Sequence, residues 1–190
     1  MEILSDAFDR AKKIKLIIFD VDGTLTDGGI YIGEGGEIFK AFNCQDGFGI
    51  TVANKVGIKT AIITGRTSKI TENRAKELKI SAVKQGCMDK RDAYKSLKAE
   101  FNLTDSEIAY VGDDVIDLPV FIQVGFAAAV GDANFEVKKR AHFVAEKFGG
   151  HGAAREVIEF ILKVQGKWSK LLQEYLTVEN SAENFSSLNQ

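Results

Sequence analysis

Short apolar runs recur along the chain at residues 14–19, broken only by Lys15, then at 59–64, 80–83, 108–111, 126–130 and 142–145. They are rich in β-branched residues and too short for helices, so they predict buried strands. Between most of them lie segments with helical spacing of apolar positions, at 47–56, 68–78, 89–101, 115–124 and 134–140. Strands alternating with helices predict an α/β fold, a Rossmann-like parallel sheet flanked by helices. The sole proline, Pro119, falls early in a predicted helix, where a first turn tolerates it. Residues 1–13 are mixed and charged and predict a short amphipathic helix. Residues 181–190 are polar and predict a frayed end.

One segment breaks the alternation. Residues 28–42 hold two short apolar stretches around Gly33-Glu34-Gly35-Gly36, the pattern of a β-hairpin. It would project from the sheet directly after the first strand, near the carboxylates Asp20 and Asp22. Ile30, Tyr31, Ile32, Ile38, Phe39 and Phe42 are too apolar for a free ribbon, which predicts burial against another subunit.

Composition narrows the class without naming a function. The 190 residues suffice for one domain with a real core, and 45% hydrophobic with 27% charged residues is ordinary for a globular protein. A formal charge of −2 offers no basic field for nucleic acid, and no apolar segment is long enough to span a bilayer. Cys44 and Cys87 lack metal-ligand spacing and read as free thiols of a reducing, cytoplasmic setting.

The candidate chemistry begins at Phe19-Asp20-Val21-Asp22-Gly23-Thr24. Two carboxylates one residue apart follow a buried strand, and ligands of open parallel sheets bind at strand carboxyl ends. Anions held so close call for a hard cation such as Mg2+. Thr64 ends the second strand in Ile63-Thr64-Gly65-Arg66. Its hydroxyl and the turn amides could bind a phosphate oxygen, although such a threonine is more often a helix cap. Lys90 opens a helix after the third strand, where a lone lysine is usually solvated. Gly112-Asp113-Asp114-Val115-Ile116-Asp117 adds three carboxylates at the same edge. One would suffice as an N-cap, so the rest suggest metal binding.

In this order the motifs, standing as DVDGT, Thr64, Lys90 and GDDVID, resemble those of the haloacid dehalogenase superfamily of aspartate-nucleophile phosphohydrolases, across about residues 15–145. The resemblance implies that Asp20 is the nucleophile and Asp22 the general acid and base. It implies that Thr64 and Lys90 hold the transferring phosphoryl group. Asp20, the backbone carbonyl of Asp22, and Asp113 would bind Mg2+, with Asp114 or Asp117 in support.

A narrower likeness comes from the hairpin, Asn43, Asp46-Gly47, Thr64-Gly65-Arg66, Arg74 and Gly149-Gly150-His151-Gly152-Ala153-Ala154-Arg155-Glu156. With no large insertion, and so no cap domain, the chain is similar to the 3-deoxy-D-manno-octulosonate 8-phosphate phosphatases up to about residue 166. That likeness implies a homotetramer assembled through the hairpins, a phosphosugar acid as substrate, and no nucleic-acid or membrane partner. Arg66, Arg74, Asn43, Asp46, Gly65 and Arg155 would contact the substrate, the arginines pairing with its carboxylate. The glycine-rich segment would be flexible enough to fold over it. The region 167–190 would be a helical, then disordered, extension. An alternative substrate on the same scaffold is a nonulosonate 9-phosphate, but the resemblance implies an acidic residue after the Thr-Gly turn for that substrate, where this chain has Arg66. A signalling receiver domain fits poorly because the third strand ends in Lys84-Gln85-Gly86 with no aspartate. A catalytically silent oligomerisation subunit is at odds with four intact motifs.

Overall fold

The computed structural model describes residues 2–177. Strands β1 (Glu2–Ile3), β2 (Leu16–Phe19), β5 (Lys59–Ile63), β6 (Ala82–Lys84), β7 (Ile108–Gly112), β8 (Phe126–Ala129) and β9 (Phe143–Val144) form one sheet. Its order is β1-β9-β8-β7-β2-β5-β6, parallel except where β1 runs antiparallel to β9. The N-terminal segment therefore differs from the single helix expected. Glu2 and Ile3 add an edge strand, and only α1 (Ala7–Ala11) is helical. The remaining helices are α2 (Cys44–Lys55), α3 (Lys69–Glu77), α4 (Lys90–Glu100), α5 (Leu118–Phe121), α6 (Phe135–Lys138), α7 (Ala153–Val164) and α8 (Lys167–Leu176).

Every side chain of β2 is buried, because helices cover both faces of the sheet at its centre. Phe126, Phe143 and Phe160 form one aromatic cluster between sheet and α7, with Phe8 of α1 edge-on to Phe160. The alternation read from the sequence omits α7, although Val157, Ile158, Ile161 and Leu162 line one buried stripe of it. The helix expected at 115–124 is a 3-10 turn (Val115–Asp117) followed by the short α5, with Pro119 in its first turn. Helix α2 starts earlier than expected because the Asn43 side chain caps it, accepting from the Gln45 amide.

Strand β2 is the switch point. The chain leaves it to β5 and β6 on one side and returns to β7 on the other, opening a crevice beyond its carboxyl end. The predicted hairpin is present as β3 (Tyr31–Gly33) and β4 (Gly36–Phe39), joined by a tight turn at Glu34-Gly35. A Thr26–Phe42 bridge closes its base. Tyr31 and Phe39 stack at 4.1 Å, while Ile32 and Ile38 are 66% and 60% exposed. Helix α8 packs through buried Leu171, an ion pair between Lys55 and Glu174, and Trp168 beneath Arg155. The end expected to fray, 181–190, lies outside the described residues. No described helix is long and apolar enough to cross a membrane.

Candidate active site

Four strand ends meet at the crevice. Asp20 follows β2, its amide bonded to the Val111 carbonyl of β7. Lys90 opens α4, after Asp89 caps that helix. Asp113 and Asp117 follow β7. Lys90 is fully buried and donates to Asp20 Oδ1 and Asp117 Oδ1, both at 2.6 Å, and to the Tyr110 hydroxyl at 3.0 Å. Lys90, which would read alone as a solvated charge and which the motif resemblance assigns to the phosphoryl group, is thus a buried cation at the crevice.

Asp117 is saturated: Oδ1 accepts from Lys90 and Tyr110, and Oδ2 from the amides of Asp113 and Asp114. It anchors the cluster. Asp114 instead caps the turn that follows and is exposed. Asp113 bonds the Thr24 hydroxyl at 3.0 Å. Gly23 makes room for it, since a Cβ there would stand 2.3 Å from Asp113 Oδ2. Gly112 does the same for Asp117, at 2.4 Å.

Asp20, Asp113 and Asp117 bring carboxylate oxygens within 4.8 Å of one another, and among the described residues only Lys90 forms ion pairs with this cluster, through Asp20 and Asp117. Burial pushes the Asp20 carboxyl up to about 6, Lys90 pulling it down less than Asp117 and burial push it up. Burial, then the charges of Asp20 and Asp117, push Asp113 up to about 8. For Lys90, burial favours the neutral amine, but Asp20 and Asp117 outweigh it and raise its pKa. Carboxylates this reluctant to ionise together are short of one hard cation. An all-oxygen donor set to which Asp20 and Asp113 each offer a carboxylate oxygen fits an ion such as Mg2+.

Asp22 stands apart from this cluster. One oxygen pairs with Lys40, whose side chain is only 1% exposed, and Lys40 also pairs with Glu37 at 3.1 Å. Arg66 is half-exposed, with Nε 3.9 Å from Asp22 Oδ2 and Nη2 4.0 Å from Glu37. Thr64 is buried, its backbone bonded to Lys84 and Cys87, and its hydroxyl bonds none of the described residues. Gly65 lies beside Met88 and Ile116, at the same rim.

Other expected substrate contacts are engaged elsewhere. Asp46 is buried and caps α7, accepting from the amides of Gly152 at 3.1 Å and Arg155 at 2.7 Å. Burial raises its pKa, and those amides offset part of the rise. Arg155 bonds Glu159 at 2.7 Å and lies 5.0 Å from the rings of both Phe48 and Trp168, within the α2–α7–α8 packing. The structure does not bring it to the carboxylate cluster. Arg74 pairs with Glu77, lies over Phe42 and packs against Gly47 beside the Asn43 carbonyl. Asn43 is the α2 cap.

The glycine-rich segment, expected to be flexible enough to fold over a ligand, is tied here to the loop after β2 and to Asp132. Gly150 donates to the Thr24 carbonyl, Gly149 to Asp132, and His151 Nδ1 lies 2.7 Å from the Gly149 carbonyl. Sequence reasoning missed Lys40, Glu37, Tyr110 and Thr24. Only Thr24 carried a signal, as part of the DVDGT motif.

Residues 82–157 match the family model described as haloacid dehalogenase-like hydrolase. The chain is 46% identical over 165 residues to a 3-deoxy-D-manno-octulosonate 8-phosphate phosphatase of Yersinia pestis, covering 87% of this chain and 88% of that one. The crystal structure of a phosphatase of that name from Yersinia pestis superposes with a TM-score of 0.84 at 47% identity, covering 86% and 88% of the two chains. One from Moraxella catarrhalis, in complex with magnesium ion, phosphate ion and KDO molecule, superposes with a TM-score of 0.87 at 39% identity, covering 90% and 99%.

Proposed function

The chain belongs to the 3-deoxy-D-manno-octulosonate 8-phosphate phosphatase family of haloacid dehalogenase-like hydrolases, and from that premise we propose how its residues perform the reaction. The enzyme hydrolyses 3-deoxy-D-manno-octulosonate 8-phosphate to the free sugar acid and phosphate, and it requires Mg2+. The observation that carries this reading is the buried Asp20–Lys90–Asp117 ion-pair system with Asp113 beside it, at the switch point of a chain nearly half identical to such phosphatases. The 3-deoxy-D-manno-octulosonate 8-phosphate phosphatases that the chain matches do not favour the nonulosonate alternative.

Asp20 attacks phosphorus through a carboxylate oxygen, forming the Asp20–phosphate bond as the bond to the sugar oxygen breaks. Asp22 gives that oxygen its proton, then takes one from the water that cleaves the aspartyl-phosphate and regenerates Asp20. Lys90 holds Asp20 in place and, with the free Thr64 hydroxyl, neutralises the phosphoryl oxygens. Bound by Asp20, Asp113 and the Asp22 backbone carbonyl, Mg2+ would supply Lewis-acid neutralisation of nucleophile and phosphate. Arg66, on the open rim, meets the substrate carboxylate.

The hairpin points to a homotetramer, since Ile32, Ile38 and Phe39 form an exposed apolar ribbon without a cover in one subunit. A cytoplasmic setting agrees with the two unpaired thiols. Phosphate release across a panel of sugar phosphates, with Mg2+ and with chelator, tests the substrate. Asp20→Asn keeps the shape but removes the nucleophile, so turnover should drop on the order of 10⁴-fold or more. Residual near-native turnover would refute the mechanism. Light scattering that finds a monomer would remove the tetramer.

A further inference from the structure

The base of the hairpin carries a buried charge network that the four motifs do not include. Lys40, just after β4, is buried between two carboxylates, Asp22 and Glu37. Glu37, within β4, accepts in turn from the Ser68 hydroxyl. Ser68 caps α3, and its amide donates to Gln85 Oε1 at 2.8 Å in the turn that leads to Lys90. One chain of contacts thus ties the Asp22 loop, the hairpin, α3 and the turn after β6. A buried ammonium is costly to desolvate and is retained here against two carboxylates that would otherwise repel each other. With Arg66 beside them, two cations and two anions balance.

Resting on the phosphatase reading, we propose that Lys40 is a positioning residue for the proton-transfer carboxylate. Its ammonium engages Asp22 Oδ1, which fixes the rotamer of Asp22. Oδ2 receives no hydrogen bond from the described residues, Arg66 Nε standing 3.9 Å away, and it is the oxygen that exchanges the proton with the leaving group. Because Lys40 and Glu37 belong to the hairpin, seating the hairpin and aiming the general acid are one event. An insertion that looks like an assembly device is thereby part of the catalytic geometry.

The test separates leaving-group protonation from fold support. In the first step the phosphorus–oxygen bond breaks and the departing alkoxide of a sugar takes a proton. A nitrophenolate departs without one. Lys40→Met should therefore lower kcat/KM for 3-deoxy-D-manno-octulosonate 8-phosphate by about 10- to 100-fold. For p-nitrophenyl phosphate the loss should be several-fold smaller. Placed on an Asp22→Asn background, the same substitution should cost nothing further, because the residue it aims is gone. Lys40→Arg, which keeps the charge but shifts the donors, should fall between and serves as the test should Lys40→Met not fold. Wild-type kinetics in the variants, equal losses on both esters, or an undiminished loss on the Asp22→Asn background would overturn the role. A wild-type protein that hydrolyses neither ester would sink the phosphatase reading itself, and this role with it, before any variant is compared.

Discussion

Gly149 lies against Gly23 so closely that a Cβ on Gly149 would stand 1.7 Å from the Gly23 carbonyl oxygen. Gly23 is the residue after Asp22, and its own lack of a Cβ makes room for Asp113. The glycine-rich segment is therefore the backing of the catalytic loop, backbone against backbone. Gly150 adds a left-handed φ of +65°, and a Cβ there would stand 2.4 Å from the Asp27 nitrogen and the Thr26 carbonyl carbon. Gly149→Ala should displace that loop and cost about 1–3 kcal/mol. At about 2–4 °C per kcal/mol for a chain of this size, calorimetry should resolve the drop. Turnover should fall alongside stability. A variant that melts and works like the parent would show that the contact relaxes at no cost.

The raised carboxyls make a signed prediction about pH. Asp20 and Asp113 titrate near 4 when unfolded, and in the folded chain at about 6 and about 8. Between these values the native state holds protons that the unfolded chain has released, so stability falls as pH rises. In chelator, the melting temperature should decline from about pH 4 towards pH 8 through these two groups. Mg2+ binding expels those protons, so its affinity should weaken on acidification through the same window, and its stabilising effect should be largest at pH 8. Calorimetric melts across pH, with and without Mg2+, would show the two curves diverging upward in pH. Parallel curves would contradict the assignment of Asp20 and Asp113 to the cation.

The strands and three of the four motifs were legible because each depends on a local pattern: an apolar run, then a polar residue at its end. Asp20, Thr64 and Asp113 follow that rule at their strand ends, whereas Lys90, at the start of α4, was legible only through the ordered set of motifs. Lys40 was not legible. Nothing in Phe39-Lys40-Ala41 marks it, and only the fold supplies Asp22 and Glu37 to bury it. The glycine-rich segment misled for the opposite reason. Glycines in sequence suggest freedom, whereas Gly149 and Gly150 exist to let two backbones touch. Asp46 and Arg155 stand in the right motif but are turned towards α7 and its neighbours by tertiary packing.

Asp46 supplies from α2 the cap that Gly152, the residue preceding α7, has no side chain to make. Asp46→Ala should leave two amides without their acceptor and cost about 1–2 kcal/mol of stability. Asp46→Asn, which keeps one oxygen, should cost less. KM for the phosphosugar should move little in either. A large rise in KM with an unchanged melting temperature would return Asp46 to the substrate.

Arg66 and Arg155 carry the same group but differ in what already holds it, and that difference decides which one can select substrate. Arg155 is committed to Glu159 and to the rings of Phe48 and Trp168, so its removal should loosen the α2–α7–α8 packing. Arg155→Ala should lower the melting temperature and affect all phosphate esters alike. Arg66 is half-exposed at the rim, and its nearest carboxylates are 3.9 and 4.0 Å away, too far for strong hydrogen bonds. Its fork is free to take a substrate carboxylate bidentately. Losing one charge-assisted contact of this kind costs about 1.5–3 kcal/mol, which is on the order of 10- to 100-fold in kcat/KM. Arg66→Ala should therefore lose that factor on 3-deoxy-D-manno-octulosonate 8-phosphate and little on p-nitrophenyl phosphate, which has no carboxylate to bind. The melting temperature should stay put. If instead Arg66→Ala slows both esters equally, or Arg155→Ala alone shows the selective loss, recognition of the sugar acid runs through Arg155 and requires the α7–α8 packing to rearrange around the substrate.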